Sequence, residues 1–168
     1  DLEGQMESDG NIEYKVTLIA REDASVQDVA LQTRLASGIG RYMMGLGEKG
    51  GYCPNDFSWK WNVEKNQDAV WVGDVNAGIQ IRLYDNKYER PLNTNFYHQK
   101  PLHMPVSWCN DGNGGIDIHN TADGISINAY SGKRSVKKGD RLYYYFNLAL
   151  TPFRPIDTNK QWRERYYH

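Results

Sequence analysis

The feature that most constrains this chain is alternation with a period of two. Leu142, Tyr144, Phe146, Leu148 and Leu150 put apolar groups on one side of an extended segment, and Tyr143, Tyr145, Asn147 and Ala149 occupy the other. Successive side chains of a strand point to opposite faces, so this pattern suits a sheet and not a helix. The same period recurs at Ile12–Leu18, Val29–Leu35, Ile79–Leu83, Ile116–Ile118 and Ile125–Ala129. Apolar matter on both sides of 142–150 marks that strand as central or covered on both faces.

Between these runs stand residues that permit tight reversals. Asp9-Gly10, Asp123-Gly124 and the run Asn110-Asp111-Gly112-Asn113-Gly114-Gly115 can supply the positive φ that such turns demand. No amphipathic helix of three turns is present; the one helical candidate is Asp157 to Arg165, capped by Asp157 or Thr158. The stretch from Gly45 to Asn66 keeps neither period and reads as a long, ordered loop. Many short strands with loops between them predict an all-β fold, an antiparallel β-sandwich of jelly-roll-like type with at most short helices.

With 168 residues the chain suits a single core that closes without metal or disulfide. Twelve Tyr, five Trp and four Phe make that core aromatic and polar-edged. A net charge of −1 argues against a general grip on nucleic acid or anionic lipid. No apolar run approaches the ~18–20 residues of a membrane span, and no signal peptide is visible. The start at Asp1 reads as a mature or excised piece. Cys53 and Cys109 form no C-x-x-C, and two free thiols are favoured over one disulfide.

Few motifs point to chemistry. Gly45-Leu46-Gly47-Glu48-Lys49-Gly50 fits G-x-G-x-x-G, but a dinucleotide site needs a helix next, and Pro54 with its neighbours offers none. A glycine-rich loop leaving a strand is the better reading, and no cofactor is expected. Lys133, Arg134, Lys137, Lys138 and Arg141 surround Gly132 and Gly139 and read as a solvated hairpin tip. His98, His103 and His119 lack zinc-ligand spacing, so no metal is expected. No G-x-S-x-G elbow occurs.

Trp59 and Trp61 fall on one face if their segment is extended. With Tyr52, Asn66 and Asp68 they are the candidate interface or sugar-binding residues. Packing in the core or between domains is favoured over stacking on sugar, most strongly for Trp71, because each indole can bury ~150–250 Å². Exposure of Trp59 and Trp61 decides between a packing module and a carbohydrate-binding module.

Three segments together carry a family likeness: Arg41-Tyr42-Met43-Met44-Gly45-Leu46-Gly47-Glu48-Lys49-Gly50-Gly51 with Phe57-Ser58-Trp59-Lys60-Trp61; Lys65-Asn66-Gln67-Asp68 with Val70-Trp71-Val72-Gly73-Asp74-Val75-Asn76-Ala77-Gly78; and Arg90-Pro91-Leu92-Asn93-Thr94-Asn95-Phe96-Tyr97 before Leu150-Thr151-Pro152-Phe153-Arg154-Pro155. The chain resembles the N-terminal β-sandwich domain of the family 123 glycoside hydrolases. The resemblance implies a β-sandwich over residues 1–152, a linker over 153–168, and a (β/α)-barrel beyond it that serves as packing partner. It also implies a secreted, periplasmic or cell-surface bacterial protein. Family members are similar to β-N-acetylgalactosaminidases whose substrate's own acetamido group acts as nucleophile, with an Asp-Glu pair in the barrel. This chain holds no Asp-Glu dipeptide, so no catalytic residue is assigned to it. The expected role is a non-catalytic accessory domain, with a carbohydrate-binding module as the alternative.

Overall fold

The computed structural model describes residues 1–61, 68–88, 103–152 and 157–164. Among them the strands run β1 (Leu2–Met6), β2 (Asn11–Ile19), β3 (Ala24–Val26), β4 (Ala30–Ala36), β5 (Tyr42–Gly45) and β6 (Glu48–Tyr52). They continue as β7 (Asp56–Lys60), β8 (Ala69–Gly73), β9 (Gly78–Tyr84), β10 (Gly115–Thr121), β11 (Gly124–Tyr130), β12 (Arg134–Val136) and β13 (Arg141–Thr151). Helices α1 (Val106–Cys109) and α2 (Thr158–Arg163) are short.

The strands form a seven-stranded sheet in the order β1-β2-β13-β9-β8-β5-β6 and a four-stranded sheet β4-β11-β10-β7, with β3 and β12 paired apart. Every pairing is antiparallel. This is the all-β sandwich that the period-two runs predict.

Register explains why those runs alternate. Tyr144 stands opposite Val16, Phe146 opposite Tyr14 and Leu83, and Leu148 opposite Ile12 and Ile81. Val70 and Val72 on β8 continue the row against Ile81 and Ile79. These side chains make the inner face of the large sheet, closed by Ile116, Ile118, Ile125, Ile127 and Ala129 from the small sheet. A one-residue slip would turn the whole apolar row to solvent, so the pattern fixes the register.

One expectation changes. The stretch 45–66 is not one long loop: it supplies β6 and β7 on either side of a short connection, and its residues 62–66 lie outside the described ones. Strand β6, Glu-Lys-Gly-Gly-Tyr, is exposed throughout as the sheet's edge, so nothing in it needs to alternate. Gly45, Leu46 and Gly47 turn the β5–β6 hairpin with φ of 104°, 52° and 93°. A strand and not a helix follows, which is why the G-x-G-x-x-G match has no phosphate-binding geometry.

Other readings agree with the structure, one of them in part. Helix α2 falls within 157–165, and the Asp157 carboxylate caps it by accepting from the Lys160 N–H at 3.0 Å. The basic cluster borders the turn between β12 and β13, where Asp140 accepts from the Lys137 N–H at 2.8 Å. It is no solvated hairpin tip, however: β12 pairs with β3, β13 pairs with β2 and β9, and Arg134 donates to the Ser107 carbonyl. Cys53 and Cys109 are free thiols, and burial pushes the Cys53 thiol above its usual pKa.

Ile118 is fully buried at the centre of the small sheet. Truncation there leaves a cavity beside rigid neighbours, so Ile118→Ala is expected to cost about 2–5 kcal/mol. Val75→Ala, at an exposed position, should stay within about 0.5 kcal/mol. Urea unfolding of the two variants measures both.

Candidate functional site

The two outer faces of the sandwich differ in chemistry. On the small sheet polar residues pair across strands: Ser58 donates to Asp117 at 2.7 Å, and His119 meets Asp56 at 2.8 Å. The Lys60 ammonium lies 4.7 Å from the Tyr130 ring centroid. On the same face the Asn128 Oδ1, opposite Asp117, is buried without a partner among the described residues.

The outer face of the large sheet is aromatic. At its centre the Tyr84 hydroxyl donates to Glu13 at 2.5 Å, and the Tyr88 hydroxyl donates to Asp68 at 2.6 Å. Arg82 lies 3.5 Å from the same Asp68 carboxylate. The bond from Tyr84, and then Lys15, holds the Glu13 carboxyl below its ordinary value of 4.5. The same bond and desolvation push the Tyr84 phenol far upward, with desolvation the larger cause.

Toward β5 and β6 the face opens into a cleft of about 630 Å³ lined by Tyr42, Met44, Gly50, Trp71, Val75 and Pro152, among others. Trp71 is its floor. Strict alternation in Val70-Trp71-Val72 sends the valines inward and the indole outward. Two glycines paired across strands, Gly73 and Gly78, seat the ring. A Cβ at either would stand 2.6 or 2.8 Å from Cζ2 of Trp71. The indole N–H donates to Thr151 Oγ1 at 2.8 Å, which fixes the ring in its plane. Gly within a strand often marks such a close approach.

Arg41 stands at the rim. Its guanidinium carbon lies 5.3 Å from the Tyr42 ring and 5.7 Å from the Tyr52 ring, and those two rings stack at 5.4 Å. A hydrogen bond to Tyr52 is the main reason its pKa is raised.

The expected site residues fall into separate places. Trp59 and Trp61 pack edge to face at 4.9 Å inside the core and keep only 6% and 8% of their surface exposed. Closed rings cannot stack on a sugar or form an outer contact surface, because their faces are already covered by Leu46, Cys53 and the small sheet's isoleucines in one cluster. Neither indole N–H has a partner among the described residues. Asp68 is an internal anchor for Tyr88, Asn66 lies outside the described residues, and Tyr52 is exposed at the rim. Trp71, expected to pack in the core or between domains, lies outside the core as the platform of the cleft. Its signal was present in the two glycines that follow it, one of them two residues on and therefore on the same face.

His103 sits 3.4 Å from the buried Asp85, whose carboxylate also accepts from the Val106 and Lys87 N–H groups at 3.0 and 2.9 Å. Asp85 thus pins α1. His98 lies outside the described residues, and among them no cluster of three His, Cys, Asp or Glu side chains could hold a metal. No helix among them is long and apolar enough to cross a membrane.

The described residues thus form an antiparallel sandwich with an apolar, aromatic cleft on one outer face. Residues 1–152 match the family model described as glycoside hydrolase 123, third domain, and the chain belongs to that family. The description makes it a third domain, whereas the resemblance had implied the N-terminal one. The comparison with curated proteins finds no match. Among solved structures, the Slr1438 protein from Synechocystis sp. PCC 6803 is similar over 89% of this chain, with 9% identity and a TM-score of 0.47. This chain spans about half, 53%, of that one.

Gly78→Ala should displace the Trp71 ring and cost about 1–3 kcal/mol by overpacking. Near-UV circular dichroism should lose tryptophan intensity in the same variant. A second outcome concerns acid. A carboxyl with a lowered folded pKa stabilises fully above its unfolded value, near 4.5 for Glu13, and the contribution is lost as pH falls through the folded value. Glu13→Gln should therefore flatten the stability loss below that pH, read from melting temperatures taken between pH 6 and pH 3.

Proposed function

We propose that this domain is a non-catalytic accessory unit of a glycoside hydrolase, packed against another domain of the same polypeptide through the cleft end of the large sheet. The observation that carries it is the exposure of large apolar groups around a fixed platform: Val75 is 67% exposed and Met44 50%, both lining the cleft with Trp71, and Tyr52, 73% exposed, stacks on Tyr42 at its rim. Contiguous exposed apolar surface of this kind marks interaction sites, and aromatic and Met side chains are enriched at interface cores. Sugar rings need hydrogen-bonding groups around the stacking face, but the Trp71 N–H is already taken by Thr151 and the walls are mainly apolar. A protein surface suits the cleft better.

The packing partner in this reading is the catalytic (β/α)-barrel, the substrate a β-N-acetylhexosaminide, and the place of action outside the cytoplasm. Membership of the glycoside hydrolase family supports the first of these.

Two measurements test the proposal. The purified chain should hydrolyse aryl β-N-acetylgalactosaminide and β-N-acetylglucosaminide no faster than buffer. Turnover abolished by one Asp or Glu substitution within the chain would overturn the non-catalytic reading. In calorimetry of the longer polypeptide, Met44→Asp combined with Val75→Asp should split a joint unfolding transition into two.

A further inference from the structure

We infer that Arg41, laid across Tyr42 and Tyr52, is the point at which the neighbouring domain is recognised, and that this neighbour presents a carboxylate beside an apolar side chain. The inference rests on the accessory-domain reading and names the chemistry of its partner.

The cation is prepared for such a contact. Tyr42 and Tyr52 stand opposite each other across the β5–β6 pair, so the sheet itself aligns the two rings beneath the guanidinium. A planar fork already held by stacking loses little freedom when it meets a carboxylate. Among the described residues no carboxylate forms an ion pair with Arg41. Asp74 attracts it only at longer range and spends Oδ1 on the Val75 N–H at 2.6 Å. A charge so oriented and unmet calls for a complementary acid across the interface.

The surroundings specify the rest of the partner. Tyr42 lines the cleft, so the fork, 5.3 Å from that ring, stands at the cleft's rim. Arg and aromatic side chains at the edge of a filled pocket are the usual hot spots of an interface. Nothing stands within 4 Å of a Cβ built at Gly51, which leaves the backbone of edge strand β6 open to close approach.

The occupant comes from the same polypeptide because the chain leaves the domain at this spot. Thr151 and Pro152 line the cleft, the family match ends at residue 152, and residues 153–168 follow. A tethered partner meets the cleft at an effective concentration on the order of millimolar, so a modest surface suffices.

The test uses the longer polypeptide that contains this chain. Arg41→Lys keeps the charge and supplies an amine that a carbodiimide can join to a carboxylate in contact with it. Mass spectrometry should find position 41 joined to an Asp or Glu outside residues 1–168. In hydrogen exchange, amides of 42–52 and 71–80 should be protected in the longer polypeptide, and Arg41→Glu should speed their exchange about tenfold. A link to Asp74 alone, with the cleft amides still protected, overturns the acidic-partner inference and leaves the accessory-domain reading standing. Protection confined to another face does the same. Cleft amides that exchange alike in the longer polypeptide and the 168-residue chain, with no face protected, overturn both. A link between two copies makes self-association the occupant, and protection by an oligosaccharide alone makes it a glycan; either result overturns the inference.

Discussion

The large sheet depends on how the open flank of β13 is closed. This strand pairs with β2 from Arg141 to Ala149, but on its other side β9 reaches only to Tyr145. Backbone groups above that point would be orphaned in a largely covered position, and each would cost stability. Helix α1 takes over from the missing strand. Ser107 Oγ accepts from the Tyr143 N–H at 2.8 Å, and the Trp108 N–H donates to the Tyr145 carbonyl at 3.0 Å. Trp108 is fully buried and packs edge to face on Tyr144 at 5.0 Å. Asn110 then donates to the carbonyls of Ser131 and Lys133, and Arg134 to that of Ser107, so three residues of one short segment tie β13 to the stretch that follows β11.

That closure explains why some of the fold was legible in the amino acids and some was not. Strands with one face against the core must alternate, and β2, β4, β9, β10, β11 and β13 all do. Strands β1, β3, β6 and β12 are short or lie at edges, where exposure removes the need for a pattern; Glu-Lys-Gly-Gly-Tyr carries none. Helix α1 is four residues long, too brief for periodicity, and its role as a surrogate strand depends on side-chain bonds 36 and 37 residues away along the chain.

The candidate site was legible in composition and not in direction. An exposed aromatic surface is present, and Tyr52 belongs to it. Trp59 and Trp61 do share one side, as their spacing requires, but strand register puts Trp59 opposite Ile116, on the core side. Spacing says which residues go together; only pairing with another strand says which way they face. For Trp71 the flanking valines and the two seating glycines held that direction locally. The family membership then gives the surface its context, since the matching model describes the third domain of a glycoside hydrolase.

The position of β13 also has a mechanical meaning. Its end at Thr151 opens onto the cleft, and the polypeptide continues from there. Tension applied through Pro152 would enter an eleven-residue strand along its own axis, between neighbours bonded to it on both sides. Those bonds would be loaded together in shear and would not open one after another as a peeled edge strand would. The Trp71–Thr151 bond spans from β8 to the loaded end and shares the first increment of force. A pull at Pro152 would therefore reach the Trp71 platform before it reached the core.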